Sequence, residues 1–368
     1  MRFVCDGLDL SDAVLRVVKA ASAKSTNPLL EGIKLEARED YVKLSATDLE
    51  ISLEKKIRAD VRTEGETVVP GKFFAEFVKK LTGEQIELYL SDKHQLKITY
   101  TDSEGFLQCM PPDDYPRIAR VEAQHSFSIV EKEFKELISR SAFAVATDDT
   151  RPVLRGVLLE VDEYQITAVA LDGFRIAMVK KPLESNAGKF SVIVPARSLF
   201  EISKLMSDNE ESIVTVNVAK NYLMAELDST TLISRLIEGD FIKYRQIIPA
   251  EYAGSLTVSR KHLEDGIERA SVLSNNPKNN LVKFDIREKL LTLTSNSDIG
   301  NIKENIAVSL HGKDVLIAFN ARYFSEALRT VNDEFIRFSF NSPVSPCVIR
   351  PVEGDEYLFL VLPVRLVG

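Results

Sequence analysis

Three stretches of the chain share one pattern of hydrophobic and polar positions. In the middle stretch, V-I-V-P-A-R-S-L-F-E-I-S-K-L-M, an apolar run ends at Pro195 and apolar residues then recur every three or four positions. This pattern predicts a strand that leads directly into an amphipathic helix. Similar stretches lie around Pro70, 125 residues earlier (195 − 70), and around Asn320, 125 residues later (320 − 195). The chain therefore contains three copies of one unit.

The match extends to the charged positions of the three predicted helices. Each copy has a basic, an acidic and a second basic residue at corresponding positions: Lys72, Glu76 and Lys79; Arg197, Glu201 and Lys204; Arg322, Glu326 and Arg329. At about 100° per residue, each set falls on one stripe of its helix. The opposite stripe is apolar, with Phe74, Phe77 and Leu81 in the first copy and their counterparts in the other two.

Another helix and several strands complete each copy. In the first copy, apolar residues from Leu10 to Val18 predict a helix that starts at Asp9, and in the second copy one of the predicted strands is Val153–Val161. Short strands that alternate with two separate helices favour an α+β fold with antiparallel sheets. We expect three similar domains, each with two helices, at residues 1–122, 123–250 and 251–368.

Composition indicates a globular protein of the cytoplasm. The 368 residues are 45% hydrophobic and 28% charged, and no apolar run approaches the ~20 residues of a membrane span. The N-terminus has acids where a signal peptide has an apolar core. Three scattered cysteines predict neither a disulfide framework nor a zinc site, and we expect no metal and no cofactor.

The chain lacks the common catalytic motifs. It has no G-x-x-x-x-G-K-[ST] phosphate loop, no G-x-G-x-x-G after a strand and no G-x-S-x-G elbow. Adjacent acids such as Asp148 and Asp149 could hold a magnesium ion, although solvated loop acids are the more common case. A protein without a reaction of its own is the leading interpretation, and an enzyme acting on nucleic acid through Asp148–Asp149 is the alternative.

The repeated basic stripe indicates an anionic partner. For one helix, a solvated face with Lys/Arg–Glu pairs is the simpler explanation, but three equivalent helices with basic residues at the same positions weaken it. The net charge of −8 does not exclude such a partner, because the local field governs binding. Without interleaved aromatic residues, these cations suit phosphate contacts on duplex DNA. A repeat scaffold that binds only proteins is a third hypothesis.

Several motifs in the right order resemble those of the bacterial DNA polymerase III β subunits, the sliding clamps. They are T-D-L-E (47–50), A-L-D-G-F-R-I-A (170–177), V-I-V-P-A-R (192–197), E-G-D-F-I-K-Y-R-Q-I-I-P (238–249) and the terminal L-P-V-R-L. The resemblance covers the whole chain. It implies a head-to-tail homodimer that closes a ring of six similar domains around duplex DNA and confers processivity.

The resemblance also implies partners and a site for them. An apolar pocket between the second and third domains would take short peptide motifs from the DNA polymerase III α subunit, the clamp loader (δ subunit), other polymerases and repair proteins. The matching positions are Leu154, Leu171, Gly173, Phe174, Arg175, Ile176, Ile242, Ile247, Val344, Leu362, Pro363 and Val364. Leu171, Phe174 and Ile242 stand where the family usually has Thr, His and Pro, which makes the expected pocket more apolar. Without the resemblance, this apolar set would be taken as ordinary interdomain core.

Residues for DNA binding and for the ring interface follow from the same sources. Lys24 and Arg197 match basic residues of the family, and Lys72, Lys79, Lys204 and Arg322 come from the stripe. Val272 and Leu273 match the apolar patch of the third domain, which would meet Phe106 and Leu107 of the other chain.

Overall fold

A computed structural model describes residues 1–148, 150–274 and 280–366. The chain divides into two compact units. Unit 1 comprises Met1–Lys132 and Glu201–Leu236, and unit 2 comprises Glu133–Phe200 and Ile237–Gly368. The second of the three copies is therefore shared between the units.

Each copy contains the predicted helices and strands, preceded by one strand that was not predicted. The first copy contains β1 (Arg2–Asp6), α1 (Gly7–Val17), β2 (Gly32–Arg38), β3 (Tyr41–Thr47), β4 (Ile51–Arg58), β5 (Asp60–Thr63), β6 (Gly65–Pro70), α2 (Gly71–Val78), β7 (Gln85–Leu90), β8 (Gln95–Tyr100) and β9 (Ser103–Gln108). The second copy contains β10 (His125–Val130), α3 (Glu131–Ser141), β11 (Gly156–Asp162), β12 (Gln165–Leu171), β13 (Arg175–Pro182), β14 (Lys189–Pro195), α4 (Ala196–Leu205), β15 (Ile213–Val218), β16 (Tyr222–Leu227) and β17 (Thr230–Arg235). The third copy contains β18 (Gly254–Ser259), α5 (Arg260–Ser274), β19 (Leu281–Arg287), β20 (Leu290–Ser297), β21 (Gly300–His311), β22 (Val315–Asn320), α6 (Ala321–Leu328), β23 (Phe335–Phe340), β24 (Cys347–Pro351) and β25 (Tyr357–Val361).

The three repeated stretches fold as predicted. Each of α2, α4 and α6 begins at the residue after a strand, with Pro70, Pro195 or Asn320 as the last strand residue. Their predicted apolar stripes are buried, apart from the half-buried Phe77. The prediction of a strand leading directly into an amphipathic helix is confirmed, because the buried stripe of each helix follows the period of its sequence.

Two predicted boundaries were wrong. Helix α1 begins before Asp9, because a side-chain oxygen of Asp6 accepts hydrogen bonds from the backbone N–H groups of Leu8 (2.8 Å) and Asp9 (3.2 Å) and so caps the helix. The predicted strand Val153–Val161 begins only at Gly156. The preceding Pro152–Arg155 forms a 3₁₀ turn, which suits a proline at its first position because proline fixes φ and has no N–H to donate.

The strand pairs of both units are antiparallel. Unit 1 contains a five-stranded sheet, β5-β1-β7-β8-β9, and an eight-stranded sheet, β10-β15-β16-β17-β4-β3-β2-β6. Unit 2 contains a twelve-stranded sheet, β14-β11-β12-β13-β25-β24-β23-β18-β21-β20-β19-β22. The α+β prediction with antiparallel sheets is confirmed.

Both large sheets cross the boundaries between copies. In unit 1, β4 of the first copy pairs with β17 of the second, with Ser52 opposite Ile233. In unit 2, β13 of the second copy pairs with β25 of the third, with Ala177 opposite Phe359. At each junction, an edge strand of one copy forms backbone hydrogen bonds with an edge strand of the next copy, so neither edge is left unpaired.

Candidate functional site

A groove of about 1030 Å³ runs along the helices of unit 1. Helix α1, the turn that follows it and helix α2 line the groove, and Lys204 of α4 reaches it as well. Five cations line it: Arg16, Lys19, Lys72, Lys79 and Lys204. Three acids, Asp12, Glu31 and Glu76, lie among them. The groove therefore brings together three of the six predicted DNA-binding residues, with a local excess of positive charge.

The cations of this groove are loosely held. Lys79 Nζ lies 3.0 Å from Glu76 Oε1 and Lys204 Nζ lies 2.7 Å from Glu201 Oε1, and both lysines are about half exposed. Exposed pairs of this kind contribute about 0–1 kcal/mol, so an arriving phosphate can compete for the lysines. Arg16 and Lys19 were not among the predicted DNA-binding residues. The signal for them was the basic character of the first helix.

The other predicted DNA-binding residues lie outside this groove. Lys24 is exposed in the loop after α1. Arg197 and Arg322 belong to unit 2, where each is exposed in the first turn of its helix. The Nε of Arg322 donates a 2.6 Å hydrogen bond to Glu326 Oε1.

Unit 2 contains an apolar cluster built around the predicted peptide pocket. Leu154, Leu171 and Ile176 are buried in it together with core residues of β11, β24 and β25, and Ile242 and Leu362 pack against it half-buried. Four further predicted residues are exposed apolar side chains: Phe174, Ile247, Val344 and Val364. The predicted set thus divides into a buried floor and an exposed group, and Pro363 is half-buried.

A tight turn at Asp172–Arg175 presents Phe174 beside this floor. Asp172 Oδ1 accepts hydrogen bonds from the N–H groups of Phe174 (2.9 Å) and Arg175 (3.1 Å). Gly173 has φ +91°, a conformation that L-residues rarely adopt, which explains the glycine. Phe174 is 58% exposed and stacks on Tyr323 at 6.0 Å between ring centroids. Its carbonyl accepts a 2.8 Å hydrogen bond from the N–H of Leu362, so the chain after β25 runs next to the turn.

The buried side chain of Arg175 stabilises this turn. It is only 6% exposed, and its guanidinium donates to Asp172 Oδ2 (3.0 Å), to the carbonyl of Phe143 (2.9 Å) and to Glu326 Oε2. Burial by itself would raise the pKa of Glu326, but hydrogen bonds from Arg322 and Arg175 outweigh it and hold that pKa below its usual range. Glu326 is therefore a carboxylate at neutral pH, and Arg175 is paired.

The partners of Arg175 were not predicted from the sequence. Phe143 and Tyr323 sandwich its guanidinium at 5.2 and 4.9 Å from their ring centroids, and Asp172 and Glu326 neutralise it. The available signal was the L-D-G turn motif, in which an Asp before Gly commonly caps its own turn. The contact with α6 is non-local, and no pattern in the sequence indicates it.

The predicted interface residues lie in two separate places, on the edge strand β9 and near the end of helix α5. Phe106 is 56% exposed and Leu107 half-buried on β9, the last strand of its sheet. Val272 is 69% exposed near the end of α5. The neighbouring Leu273 lies close to Gly300, the first residue of β21, because a Cβ at Gly300 would be 4.0 Å from Leu273 Cδ1. Ile299, which was not predicted, is 87% exposed beside them.

The acids of the alternative hypothesis are only partly described. Asp148 is exposed, and Asp148 Oδ1 accepts hydrogen bonds from the backbone N–H (3.0 Å) and the hydroxyl of Thr150. Asp149 lies outside the described residues. Within those residues, no group of three or more His, Cys, Asp and Glu side chains is arranged to hold a metal ion. In the same part of the chain, no helix is both long and apolar enough to cross a bilayer.

Comparison with known proteins covers the whole chain. Family models for the N-terminal, central and C-terminal domains of the DNA polymerase III beta subunit match residues 1–119, 128–243 and 245–365. The beta sliding clamp of Halalkalibacterium halodurans is 35% identical over 379 residues, covering 99% of this chain and 100% of that protein. The beta sliding clamp of Staphylococcus aureus is 34% identical, and the match covers 95% of this chain and 95% of that protein.

The crystal structure of the DNA polymerase sliding clamp from Bacillus subtilis superposes with a TM-score of 0.97 at 30% identity and covers 100% of both chains. The resemblance seen in the motifs is thereby confirmed, and the chain belongs to the DNA polymerase III beta subunit family, the β sliding clamps.

Proposed function

We propose that this protein encircles duplex DNA and tethers the replicative polymerase to it, without a reaction, a cofactor or a metal of its own. The observation that carries the proposal is the groove of unit 1, which collects five cations on a chain of net charge −8. Lys and Arg contacts to phosphates attract any duplex and do not read its sequence. A protein that must move along DNA needs this kind of attraction.

Lys24, Arg197 and Arg322 extend the DNA-binding set beyond the groove in this proposal. All three are exposed, as phosphate contacts require. The three copies correspond to clamp domains at residues 1–122, 123–250 and 251–368. The protein acts where the chromosome lies, in the cytoplasm and associated with the nucleoid.

Two chains would close the ring head to tail. Among the described strands, β9 of unit 1 pairs only with β8. Within the described part of unit 2, the first part of β21, Gly300–Ala307, pairs only with β20, because β18 pairs with the later residues Val308–His311. Both edges therefore offer unpaired backbone groups to another chain. The exposed apolar residues beside them, Phe106 on one edge and Val272 and Ile299 on the other, favour pairing of these two edges across the dimer.

The apolar set of unit 2 is the proposed docking site for partner peptides. Its buried floor and the exposed Phe174, Ile247, Val344 and Val364 suit peptide side chains such as Leu and Phe. The partners are short motifs of the DNA polymerase III α subunit, the clamp-loader δ subunit, other polymerases and repair proteins. The stacked Phe174 and Tyr323 make this site more apolar than the usual His would, so we expect a preference for apolar peptide ends.

Retention on DNA after loading by a clamp loader tests the proposal. We expect long retention on nicked circles and rapid loss when the same DNA is linearised, because a ring slides off free ends. Equal retention on circular and linear DNA would show ordinary surface binding and would contradict the clamp proposal.

Charge reversal separates the clamp from a scaffold that binds only proteins. The triple variant Lys72→Glu, Arg197→Glu, Arg322→Glu should lose most DNA retention, while Lys180→Glu, Lys189→Glu, Lys220→Glu is a control of equal charge change outside the three repeated helices. Unchanged retention in the first variant would favour the scaffold. A turnover on nucleic acid that Asp148→Ala abolishes would instead support the enzyme hypothesis.

A further inference from the structure

One carboxylate of α6 binds two arginines of very different exposure. Glu326 Oε1 accepts a 2.6 Å hydrogen bond from Arg322, whose side chain is 62% exposed. Glu326 Oε2 accepts from Arg175, which is 6% exposed. The carboxylate therefore connects the exposed basic stripe of α6 with the buried guanidinium under the Asp172 turn.

We propose that Glu326 is a positioning residue of the apolar docking site in unit 2. Its carboxylate fixes Arg175, Arg175 fixes Asp172, and Asp172 fixes the backbone that presents Phe174. Charge-assisted hydrogen bonds of this kind are about twice as strong as neutral ones, and burial reduces their screening by water. Glu326 itself need not touch the peptide. The proposal rests on the peptide-binding function proposed above.

The internal repeat supplies the matched case without such a link. In unit 1, Asp48 forms the same turn, and Asp48 Oδ1 accepts from the N–H groups of Glu50 (3.0 Å) and Ile51 (2.8 Å). Ile51 stands where unit 2 has Arg175, and Glu201 is the repeat counterpart of Glu326. Glu201 Oε2 is buried and has no hydrogen-bond partner among the described residues. Of these two acids, therefore, Glu326 alone can support the turn, because an arginine follows the turn in unit 2 and an isoleucine follows it in unit 1.

The shared carboxylate also determines whether substituting the neighbouring Arg322 raises or lowers peptide affinity. Arg322 and Arg175 draw on one negative charge, so removing Arg322 leaves that charge to Arg175 alone and strengthens their bond. Arg322→Gln should therefore keep or improve peptide affinity, whereas Glu326→Gln should reduce it. If the Arg322–Glu326 pair only stabilised α6, the two substitutions would act in the same direction.

Peptide binding to the full-length protein tests these opposite changes in affinity. The probe is a fluorescein-labelled pentapeptide that ends in Leu-Phe, and the control peptide has Ala at both positions. Fluorescence anisotropy should show about 5–10-fold weaker binding for Glu326→Gln, in line with the loss of one charge-assisted bond, and less than about twofold change for Glu201→Gln. Arg322→Gln should bind as tightly as the parent or up to about threefold tighter.

A fluorescent reporter tests the positioning without any peptide. The chain has no tryptophan, so Phe174→Trp introduces a single tryptophan on the turn, whose emission can be observed separately from that of the tyrosines. In that background, acrylamide quenching should increase in Glu326→Gln and stay unchanged in Glu201→Gln. Equal quenching in both, or equal peptide affinity in Glu326→Gln and the parent, would overturn the positioning role alone. Parent protein that binds both peptides equally would overturn the docking function and this role with it.

Discussion

Two turns at corresponding places in the repeat have the same backbone and different surroundings. The turn at Asp48 joins β3 to β4 in unit 1, and the turn at Asp172 joins β12 to β13 in unit 2. In both, the aspartate caps two N–H groups and the next residue is left-handed, with φ +77° at Leu49 and +91° at Gly173. The shared aspartate thus fixes the shape of the turn, and the residues that follow it determine what the turn supports.

The sheet faces beside the two turns differ more strongly. In unit 1, the paired positions Lys34, Ser45 and Glu54 line a charged pocket of about 240 Å³. The same register positions in unit 2 are Leu158, Val169 and Met178, which belong to or pack against the apolar cluster. One backbone plan therefore carries a solvated, salt-bridged face in one unit and an apolar face in the other. Only the apolar face suits a docking site for peptides, since desolvating paired charges is costly.

Arg175→Met should give the largest loss of stability. It removes a buried cation from Asp172 and Glu326 while keeping similar volume, and breaking such a pair costs about 3 kcal/mol. Urea unfolding measures the loss. The counterpart Ile51 shows that the turn accepts an apolar residue where no second acid binds it. The double variant Arg175→Met, Glu326→Met should therefore recover part of the loss, and no recovery would show that packing, not charge, causes it.

Val169→Ser, which copies the unit 1 residue into unit 2, should cost about 2–3 kcal/mol. Val169 is fully buried in the apolar cluster, so the substitution buries a hydroxyl among apolar side chains and the lost methyl groups leave a void. The converse change, Ser45→Val, removes a hydrogen bond to Glu54 (3.2 Å) and should cost about 1 kcal/mol. Comparable losses for the two variants in urea titrations would contradict the contrast drawn between the two faces.

Gly173→Ala should cost about 1 kcal/mol, because an L-residue pays for the left-handed conformation. Space is not the cause, since a Cβ at Gly173 would meet no atom of the described residues within 4 Å. Leu49→Gly should change stability by less than about 0.5 kcal/mol, because relief of strain offsets the greater freedom of the unfolded chain. Thermal melting of the two variants compares the turns directly. If Gly173→Ala left the stability unchanged, the two turn backbones would differ more than their similar φ angles suggest.

Glu326→Gln should have an effect on stability similar to that of Gly173→Ala, but with a characteristic pH dependence. The folded-state pKa of Glu326 lies below its unfolded value of 4.5, so its ion pairs stabilise the fold above pH 4.5 and this contribution is lost as pH falls through the folded pKa. We expect a difference of about 1 kcal/mol at pH 7 that shrinks below pH 4.5. Urea midpoints measured from pH 7 to pH 3 check this. A difference that stayed constant across that range would assign the effect to packing.

The sequence predicted most of the fold because the signals were local and repeated. The period of 125 residues located α2, α4 and α6, and the alternation of apolar residues located most strands. The edge strand β5 escaped prediction because its four residues are too few to show a period. The strands β1, β10 and β18, each of which comes before the first helix of its copy, were not predicted either. The cap at Asp6 was missed because Asp9, three residues later, is an equally good capping residue.

By itself, the sequence determined the three copies, the helix faces and the basic stripe, because helix and strand periods are properties of neighbouring residues. It did not determine which strands of different copies join, such as β4 with β17, or that Glu326 lies between Arg322 and Arg175. It also did not show that Lys204 joins Lys72 and Lys79 in one groove. Apart from the local pair Arg322–Glu326, these contacts join residues more than 100 positions apart, and only the packing of sheets and helices brings them together.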